Sequence, residues 1–378
     1  MDFVTFKHNK YICNVNKMLF NKYNMRKKII KTKSIYLFLF VLLVTSCKPH
    51  DAQFYLDKAI VETNNGNYAS AIEDFSNAIE INPKCIDAYY YRGKVYRELN
   101  KIELTIKDFS TVIKINPLYQ YAYTNRGGAY HKLGKLDLAM ADYNNEIKNY
   151  PNESDVLHNR SILYYDQGKF ELSIQDCTRE IKIDPQNLWS YYNRALANSE
   201  LLKFDLAIED FSTIIQINPV FQFSHSSRGF LYNKLGKTDL AIIDYNFEIK
   251  NYPNEYQVLE YRGTFYFNQG KFELALQDYT KAIKLNPRNV TNFLNRAYIY
   301  TKLGNENLAI NDYNTAIKIQ PNKPRNYIGR GTLYKDISKK ELAIADFKLA
   351  ADLGFEDGSK LLKEYYNIDY PVGKDVKK

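Results

Sequence analysis

The sequence predicts an all-α fold made of about nine tandem helix–turn–helix repeats. Three observations predict it: a proline recurs every 34 residues, an arginine and an aspartate recur at the same period, and small and aromatic residues surround the aspartate at helical spacing. A fixed period of about 20–50 residues is typical of repeat proteins, because each repeat buries its apolar face against its neighbours. The sequence therefore predicts an array rather than a single compact domain.

The prolines mark the end of the second helix of each repeat, because proline has no N–H to donate and disfavours helix at the preceding residue. In the third repeat, Leu133, Gly134 and Lys135 form a turn between the two helices. Gly134 is predicted to adopt the left-handed conformation that ends the first helix. The prolines that define the period are Pro83, Pro117, Pro151, Pro185, Pro219, Pro253, Pro287 and Pro321.

The second helix of each repeat carries an apolar stripe. Ala139, Tyr143 and Ile147 are spaced at i, i+4 and i+8, so they share one helix face. The small residue lets a neighbouring helix approach closely, and the aromatic ring fills the space beside it. An aromatic residue stands at the position of Tyr143 in every repeat except the fourth, which has Cys177. We interpret Cys177 as a small core residue in place of the ring.

In eight repeats an arginine precedes the repeated aspartate by 16 residues and therefore lies on the facing helix. Because a guanidinium bonds a carboxylate at two points, we expect each arginine to pair with an aspartate, within its repeat or across to a neighbour. The first repeat has Lys58 instead of arginine. The alternative is a basic ligand-binding stripe, but aspartates at the same period favour internal pairing. The expected half-buried ladder includes Arg126, Asp142, Arg160, Asp176, Arg228 and Asp244.

With these residues the chain resembles the tetratricopeptide repeat (TPR) family. The family pattern of an aromatic, Gly, Tyr, Ala, an aromatic and Pro is met by Tyr123, Gly127, Tyr130, Ala139, Tyr143 and Pro151. The resemblance covers nine repeats over 52–357 and implies a right-handed α-solenoid, with a capping helix and a polar tail over 358–378. The family usually has leucine before the glycine, and eight repeats of this chain have arginine there.

The resemblance also implies a partner-binding surface, the concave groove lined by the first helices. By resemblance, the residues one and two before the arginine face this groove, and the single tryptophan lies near it. Aromatic rings offer rigid contact area and asparagines can bond a peptide backbone, so we expect an extended peptide or a partner helix. The lysines and arginines with which family members bind acidic chaperone tails are not matched here. The candidate groove residues are Tyr90, Tyr91, Asn125, His158, Asn159, Trp189, Tyr192, Asn193, Tyr261 and Asn295.

The array contains an internal duplication. Residues 120–153 and 222–255 are close copies that share KLGK, DLA, DYN and EIKNYPNE, and residues 154–187 match 256–289 through QGKFEL and QD. The offset is three repeats, so a cassette of three repeats was copied. An array built by copying favours a scaffold over a tailored active site.

The first 46 residues are typical of a bacterial export leader. Lysines and arginines precede an uninterrupted apolar run over 35–44. Ten residues are too few to cross a hydrocarbon core, which needs about 20. Residues 1–46 are therefore predicted to be a signal peptide, with an uncleaved signal anchor as the alternative.

The apolar run ends in Val-Thr-Ser-Cys, which resembles the lipobox of bacterial lipoproteins. We expect Cys47 to be lipidated, with 47–51 as a short tether, because several acyl chains hold a protein stably at a membrane. Since residues from 25 onward would make an ordinary lipoprotein signal peptide, residues 1–24 are hypothesised to be a start-site artefact. A lysine follows Cys47, and the aspartate that signals retention in the inner membrane is not there.

The leader also accounts for the basic balance of the chain. The formal net charge is +9, but residues 1–46 hold nine Lys or Arg and one acidic residue, so the rest is almost neutral. We therefore expect no nucleic-acid partner. Nucleotide-binding, metalloprotease and serine-hydrolase motifs are absent from the sequence, and the five histidines lack metal-ligand spacing. We expect no enzyme activity, no metal and no cofactor.

The sequence therefore predicts a bacterial TPR lipoprotein that acts as a membrane-tethered scaffold for protein–protein interaction. By resemblance to bacterial sorting, its expected location is the outer membrane, facing the periplasm, with the cell surface and the inner membrane as alternatives. The alternative function is a surface lipoprotein that captures a non-protein ligand such as a glycan.

Overall fold

The computed structural model describes residues 51–373, which form nineteen helices and no strand. The predicted all-α class is therefore confirmed for these residues. The leader, the lipidation site Cys47 and the last five residues lie outside the described part of the chain. The chain divides between Tyr119 and Gln120 into two compact units, which are described separately.

The first compact unit contains two helical hairpins. Their helices are α1 (Ala52–Asn64), α2 (Tyr68–Ile81), α3 (Ile86–Glu98) and α4 (Ile102–Ile115). Asp51 caps α1, because its carboxylate accepts from Phe54 N at 2.8 Å. The core between the hairpins includes Phe75 and Val95, both buried. Each hairpin corresponds to one predicted repeat.

The second compact unit continues the same pattern through seven hairpins and a final single helix. Each hairpin packs its two helices together and packs its second helix against the next repeat. The helices are α5 (Ala122–Lys132), α6 (Leu136–Asn149), α7 (Ser154–Asp166), α8 (Phe170–Ile183), α9 (Leu188–Glu200), α10 (Phe204–Ile217), α11 (Ser224–Lys234), α12 (Thr238–Asn251), α13 (Tyr256–Asn268), α14 (Phe272–Leu285), α15 (Val290–Lys302), α16 (Glu306–Ile319), α17 (Pro324–Asp336), α18 (Lys340–Asp352) and α19 (Glu356–Tyr366).

The turn between the two helices of a repeat needs a left-handed residue. Gly134 supplies it between α5 and α6, with φ of 69°. Leu202 holds the same place between α9 and α10 with φ of 58°, a conformation that costs a branched residue more than glycine. The second helices from α2 to α16 each end shortly before the repeated proline, and α18 is followed by Phe355 at that position.

The two helices of a hairpin approach closely where a glycine faces an aromatic ring. A Cβ added to Gly127 would lie 2.7 Å from Tyr143 Cε1, and one added to Gly263 would lie 3.0 Å from Tyr279 Cε1. The rings of Tyr143 and Tyr279 are almost fully buried. The small residue and the ring therefore form one packing unit, repeated along the chain.

Within the second compact unit, the first helices form a layer of their own. The first helix of one repeat contacts the first helix of the next, as α5 does with α7 and α7 with α9. We call the exposed side of this layer the first-helix face.

None of the helices between residues 51 and 373 has both the length and the apolar character that a bilayer span needs.

Candidate functional site

The repeated arginines and aspartates form ion pairs within their own repeats. Arg Nε and Nη2 donate to the two carboxylate oxygens at 2.7–3.0 Å, so the pairing is bidentate. In the first repeat, Lys58 Nζ lies 2.9 Å from Asp74 Oδ2 instead. The set of eight arginine pairs is called the arginine ladder: Arg92–Asp108, Arg126–Asp142, Arg160–Asp176, Arg194–Asp210, Arg228–Asp244, Arg262–Asp278, Arg296–Asp312 and Arg330–Asp346.

Ladder arginines also reach a third helix through Nη1. Arg160 Nη1 donates to Asn144 Oδ1 at 2.7 Å, and Arg262 Nη1 donates to Asn246 Oδ1 at 2.6 Å. Both acceptors lie on the second helix of the preceding repeat. The Tyr164 ring lies 5.5 Å from the Arg160 guanidinium carbon, within cation–π range. A leucine at the position of Arg160 could make none of these polar contacts between repeats.

The arginine ladder stabilises the packing of the helices and does not form a basic surface. Burial lowers the pKa of Arg126, but the hydrogen bonds and the charge of Asp142 outweigh it, so this pKa lies above its ordinary value. The aspartates are buried and the arginines half-buried. In Arg160, Nε and both Nη nitrogens are engaged in hydrogen bonds. The arginine ladder therefore offers little charge to a ligand.

Trp189 is the most exposed aromatic side chain on the first-helix face. It is 55 % exposed. Its ring lies edge-on to Phe221, at 5.0 Å between centroids, and to Tyr192, at 5.7 Å. Tyr192 is anchored in turn on the buried Phe211, at 5.5 Å. Trp189 is therefore held in one orientation before any partner binds.

Further aromatic pairs continue along the same face. Phe230 lies 6.0 Å from Tyr261, which is 41 % exposed, and Phe267 lies 5.6 Å from Tyr298. Phe221, Phe230, Phe267 and Tyr298 were not predicted as groove residues from the sequence. The signal was available for Phe230 and Tyr298, because both stand two residues after a ladder arginine, one helical turn beyond the position of Tyr192. We call the following set the aromatic row: Trp189, Tyr192, Phe221, Phe230, Tyr261, Phe267 and Tyr298.

Asn125 corrects one prediction, because it does not line an accessible surface. It is 8 % exposed, and its Nδ2 donates to Tyr121 O at 2.8 Å. The cause is local. The chain enters α5 through Tyr121 in the left-handed conformation, with φ of 65°, and the Tyr121 carbonyl accepts from both the backbone N–H and the side-chain amide of Asn125.

The other predicted polar residues occupy different environments. Asn159 Nδ2 donates to Asp155 O at 2.9 Å on its own helix. His158 Nδ1 lies 3.4 Å from Oε1 of the buried Glu180. Asn295 Nδ2 donates to the Tyr279 hydroxyl at 3.3 Å. Only part of the predicted asparagine set is therefore free to meet a peptide.

In the first compact unit, Tyr90 and Tyr91 are partly buried and pack between helices. Tyr90 lies 5.7 Å from Phe109 and 4.9 Å from Tyr119, and Tyr91 stacks on Phe75 at 6.4 Å. These contacts stabilise the hairpins of this unit. Both tyrosines keep a partly accessible edge.

The second compact unit contains a cavity of about 200 Å³ between the fourth and fifth repeats. Its partly exposed walls come from α7 and α9, and its buried walls are Ser161 and Ser173. The complete lining is Ser161, Ile162, Tyr165, Ser173, Asn193 and Leu196. Asn193 is thus the predicted groove residue that borders a cavity.

The described residues offer no evident reactive centre. Between residues 51 and 373, no cluster of three or more His, Cys, Asp or Glu is placed to hold a metal ion. Cys85 and Cys177 are free thiols. Burial raises the pKa of the Cys177 thiol to about 12, so it stays protonated at neutral pH.

Models of the tetratricopeptide repeat match much of the array. The matched segments described as "Tetratricopeptide repeat" or "TPR repeat" are 61–98, 93–134, 121–152, 256–289 and 290–323. A curated relative, the Hsp70/Hsp90 co-chaperone CNS1 of Saccharomyces cerevisiae, is 39 % identical over 56 residues. This match spans 15 % of the present chain and only 14 % of that protein.

Solved repeat proteins share the fold at low sequence identity. A tetratricopeptide repeat protein from Parabacteroides merdae is 19 % identical, with a TM-score of 0.54 over 66 % of this chain and 98 % of that one. The C-terminal part of a TPR repeat-containing protein from Cytophaga hutchinsonii is 21 % identical, with a TM-score of 0.51 over 63 % and 97 %. The APC/C hetero-tetramer Cut9-Hcn1 is 16 % identical, with a TM-score of 0.51 over 83 % and 76 %. At these identities the likeness concerns the fold alone.

Proposed function

Because the chain belongs to the tetratricopeptide repeat family, we propose that it is a protein–protein interaction scaffold that binds a peptide or a helix of its partner on the first-helix face. Repeat arrays of this kind present extended surfaces that suit such ligands. The co-chaperone CNS1 and the Cut9-Hcn1 complex are, by their names, proteins that work with other proteins. They support a protein partner and do not name it.

The observation that carries the proposal is the aromatic row with Trp189. A tryptophan that is 55 % exposed, yet fixed by two neighbouring rings, loses little side-chain entropy when it binds. Tryptophan and tyrosine are the residue types that most often dominate protein interfaces. The row offers apolar contact area with polar tips, which favours a peptide with apolar anchors. Lys234 and Lys302 each lie 5.3 Å from a ring of the row, Phe230 and Tyr298 respectively, and add positive charge beside it.

The test is a crosslinking pull-down with the full-length protein and its Trp189→Thr variant. Threonine is the residue that the duplicated cassette has at the matching position, Thr291, so the repeat tolerates it. We expect partner capture to fall on the order of tenfold or more, the typical effect of a central interface aromatic. The thermal unfolding midpoint should stay within about 1 °C, since half of the Trp189 side chain faces solvent.

Leu206→Ala is the matched control on the opposite layer. Leu206 lies on the second helix α10 and is about as exposed as Trp189. Unchanged capture by this variant would support the first-helix face. Loss of capture by Leu206→Ala with full capture by Trp189→Thr would place the interface on the second helices and reject the proposal.

The glycan alternative makes a different prediction in the same system. An oligosaccharide ligand would raise the unfolding midpoint of the wild type by binding the folded state. If oligosaccharides did so, Trp189→Thr removed the rise, and the pull-down recovered no protein, a ligand-capture function would replace the scaffold.

The membrane tether is proposed from the sequence of the leader. Lipidation at Cys47 would hold the array at a membrane, with the outer membrane and its periplasmic side as the proposed location. A Cys47→Ala form should lose partition into the detergent phase and the mass of the acyl chains. If this form partitioned like the wild type, the lipid anchor would be rejected, while partner binding by the array would stand.

A further inference from the structure

The duplicated cassette shows what normally fills the space behind the first-helix face. In the seventh repeat (256–289), the Tyr279 ring packs against Gly263, and its hydroxyl bonds Asn295 Nδ2 at 3.3 Å and Thr264 Oγ1 at 3.0 Å. Asn295 belongs to the next repeat. A buried phenol thus joins two repeats at this point.

The fourth repeat (154–187) is the copy of the seventh and lacks this ring. Cys177 replaces Tyr279 at the matching position, 102 residues earlier, and Asn193 matches Asn295. Ser161 and Ser173 stand where the seventh repeat has Gly263 and Ala275. Ser161, Ser173 and Asn193 line the cavity of about 200 Å³, and the two serines lie beside the Cys177 thiol, so the cavity adjoins the place of the missing ring.

Two polar side chains of the cavity lining have unused hydrogen-bonding capacity. Within residues 51–373, the buried Asn193 Nδ2 has no hydrogen-bond partner, and the buried Ser173 Oγ has none other than the Cys177 thiol, which is a weak one. Ser173 as a whole is fully buried. Buried polar groups of this kind are nearly always satisfied in proteins, so the two atoms call for a ligand atom with hydrogen-bonding capacity.

We propose that the cavity receives one tyrosine side chain of the bound partner, which restores the phenol that the duplication lost. This inference rests on the proposed peptide binding to the first-helix face and adds the chemistry of one anchor residue. The volume of the cavity is sufficient for a tyrosine ring, because an engineered protein cavity of about 150 Å³ already binds benzene. The polar wall favours a phenol over a phenyl ring.

The direction of entry assigns a role to each polar atom. The partly exposed residues Ile162 and Leu196 form the mouth, between α7 and α9, and the buried Ser161 and Ser173 form the floor. A ring that enters from the face therefore brings its hydroxyl to Ser173 Oγ. Asn193 Nδ2 is buried and matches the Asn295 nitrogen that bonds the Tyr279 hydroxyl, so it is the second hydrogen-bond donor offered to the bound phenol.

The direct test uses p-cresol, the side-chain analogue of tyrosine, with toluene as the ring without a hydroxyl. Binding of each to the full-length protein is measured by ligand-observed NMR. We expect p-cresol to bind more tightly than toluene. Ser173→Ala introduces the residue that the seventh repeat has at Ala275. It should weaken the binding of p-cresol about fivefold, the effect of one hydrogen bond, and change the affinity for toluene by no more than about twofold.

The filling variant is Ser161→Gly with Cys177→Tyr, which rebuilds the seventh repeat in the fourth. It should lose binding of both compounds, because the internal ring occupies the cavity. Leu206→Ala should bind p-cresol like the wild type, since this leucine lies on α10 outside the lining.

A capped Gly-Tyr-Gly peptide extends the test to the mouth. It should bind more tightly than the matching Phe and Ala peptides, and Asn193→Ser should weaken both the Tyr peptide and p-cresol because it removes a donor to the phenol. Equal p-cresol binding by the wild type and the filling variant would overturn the cavity as the site. An unchanged p-cresol to toluene ratio in Ser173→Ala would overturn the choice of tyrosine. Either failure leaves the Trp189 pull-down result intact, so it is separable from failure of the proposed function.

Discussion

The fourth and seventh repeats are copies of one sequence, and they differ in what stands behind the first-helix face. Both keep the ladder pair with the same geometry: Arg160 bonds Asp176 through two nitrogens, and Arg262 bonds Asp278 likewise. Only the seventh repeat keeps the buried phenol, since the fourth has Cys177 at that place. The difference teaches that the ladder maintains the hairpin while the ring position is free to change.

This separation has a physical cause. The bidentate pair and the bond to the preceding repeat fix three helices at one edge of the hairpin. The ring packs at another place, against the small residue of the first helix. Loss of the ring therefore opens a local cavity instead of separating the helices, which is the usual result when the surrounding structure relaxes only partly.

The largest effect is expected for variants of the arginine–aspartate pair, which the fourth and seventh repeats share. Asp176→Ala and Asp278→Ala should each lower the free energy of unfolding by about 4 kcal/mol, because each leaves a half-buried guanidinium without its carboxylate. The measurement is urea unfolding at pH 7, with amide hydrogen exchange in the affected hairpin as the local readout.

Two controls frame this prediction. Asp137→Ala removes an exposed carboxylate on α6 and should change stability by less than about 0.5 kcal/mol. Asp74→Ala breaks a pair with the half-exposed Lys58 and should cost about 1 kcal/mol. Equal effects of Asp176→Ala and Asp137→Ala would show that the ladder contributes nothing beyond surface charge.

The next largest effect is expected for a variant that gives the seventh repeat the cysteine of the fourth. Tyr279→Cys should cost about 3 kcal/mol, since it removes a buried ring and leaves the Asn295 amide without its acceptor. Thermal unfolding measures the loss, and p-cresol should restore part of it by filling the new cavity. A variant as stable as the wild type would mean that the Tyr279 ring is not part of the core.

The fourth and seventh repeats also show how much of the candidate site can be predicted from the sequence. The 16-residue spacing of Arg160 and Asp176 is a helix-to-helix relation within one hairpin, so periodicity alone indicates their contact. The Cys177 substitution is equally visible in the sequence. The structural consequence of this substitution is not visible in the sequence, because the cavity depends on Ser161, Ser173 and Asn193, which come together from three helices.

The predicted groove shows the same limit. Trp189 and Tyr192 are three residues apart on one helix, and their placement follows from helical spacing. The burial of Asn125 does not follow from that spacing. Its side-chain amide and its backbone N–H both donate to the carbonyl of Tyr121, a residue in the left-handed conformation. Local exceptions of this kind change which side chain is accessible while the repeat pattern stays the same.

The reverse exchange should have a smaller effect with the opposite sign. Cys177→Tyr together with Ser161→Gly should raise the free energy of unfolding by about 1 kcal/mol, the gain of filling the cavity less the cost of a glycine within α7. Cys177→Tyr alone should gain less, because the Ser161 side chain stands where the copy has only Gly263. Urea unfolding of both variants beside Ser161→Gly checks the order. A less stable double variant would show that the fourth repeat has repacked around its cysteine.

The smallest effect concerns the other copied pair, the third and sixth repeats, where Tyr123 matches His225. Burial lowers the pKa of His225, helped by the charge of Arg228 and opposed by that of Asp244, and its ring stacks on Phe247 at 3.9 Å. Since the folded pKa lies below the ordinary value of about 6.5, the unfolded chain binds the proton first as pH falls. The stability that neutral His225 contributes is thus present above about pH 6.5 and is lost as pH falls through the folded pKa. His225→Tyr carries no group that titrates in this range, so its unfolding midpoint should fall less than that of the wild type between pH 7.5 and pH 5. Parallel curves for the two proteins across this range would show that His225 titrates alike in the folded and unfolded states.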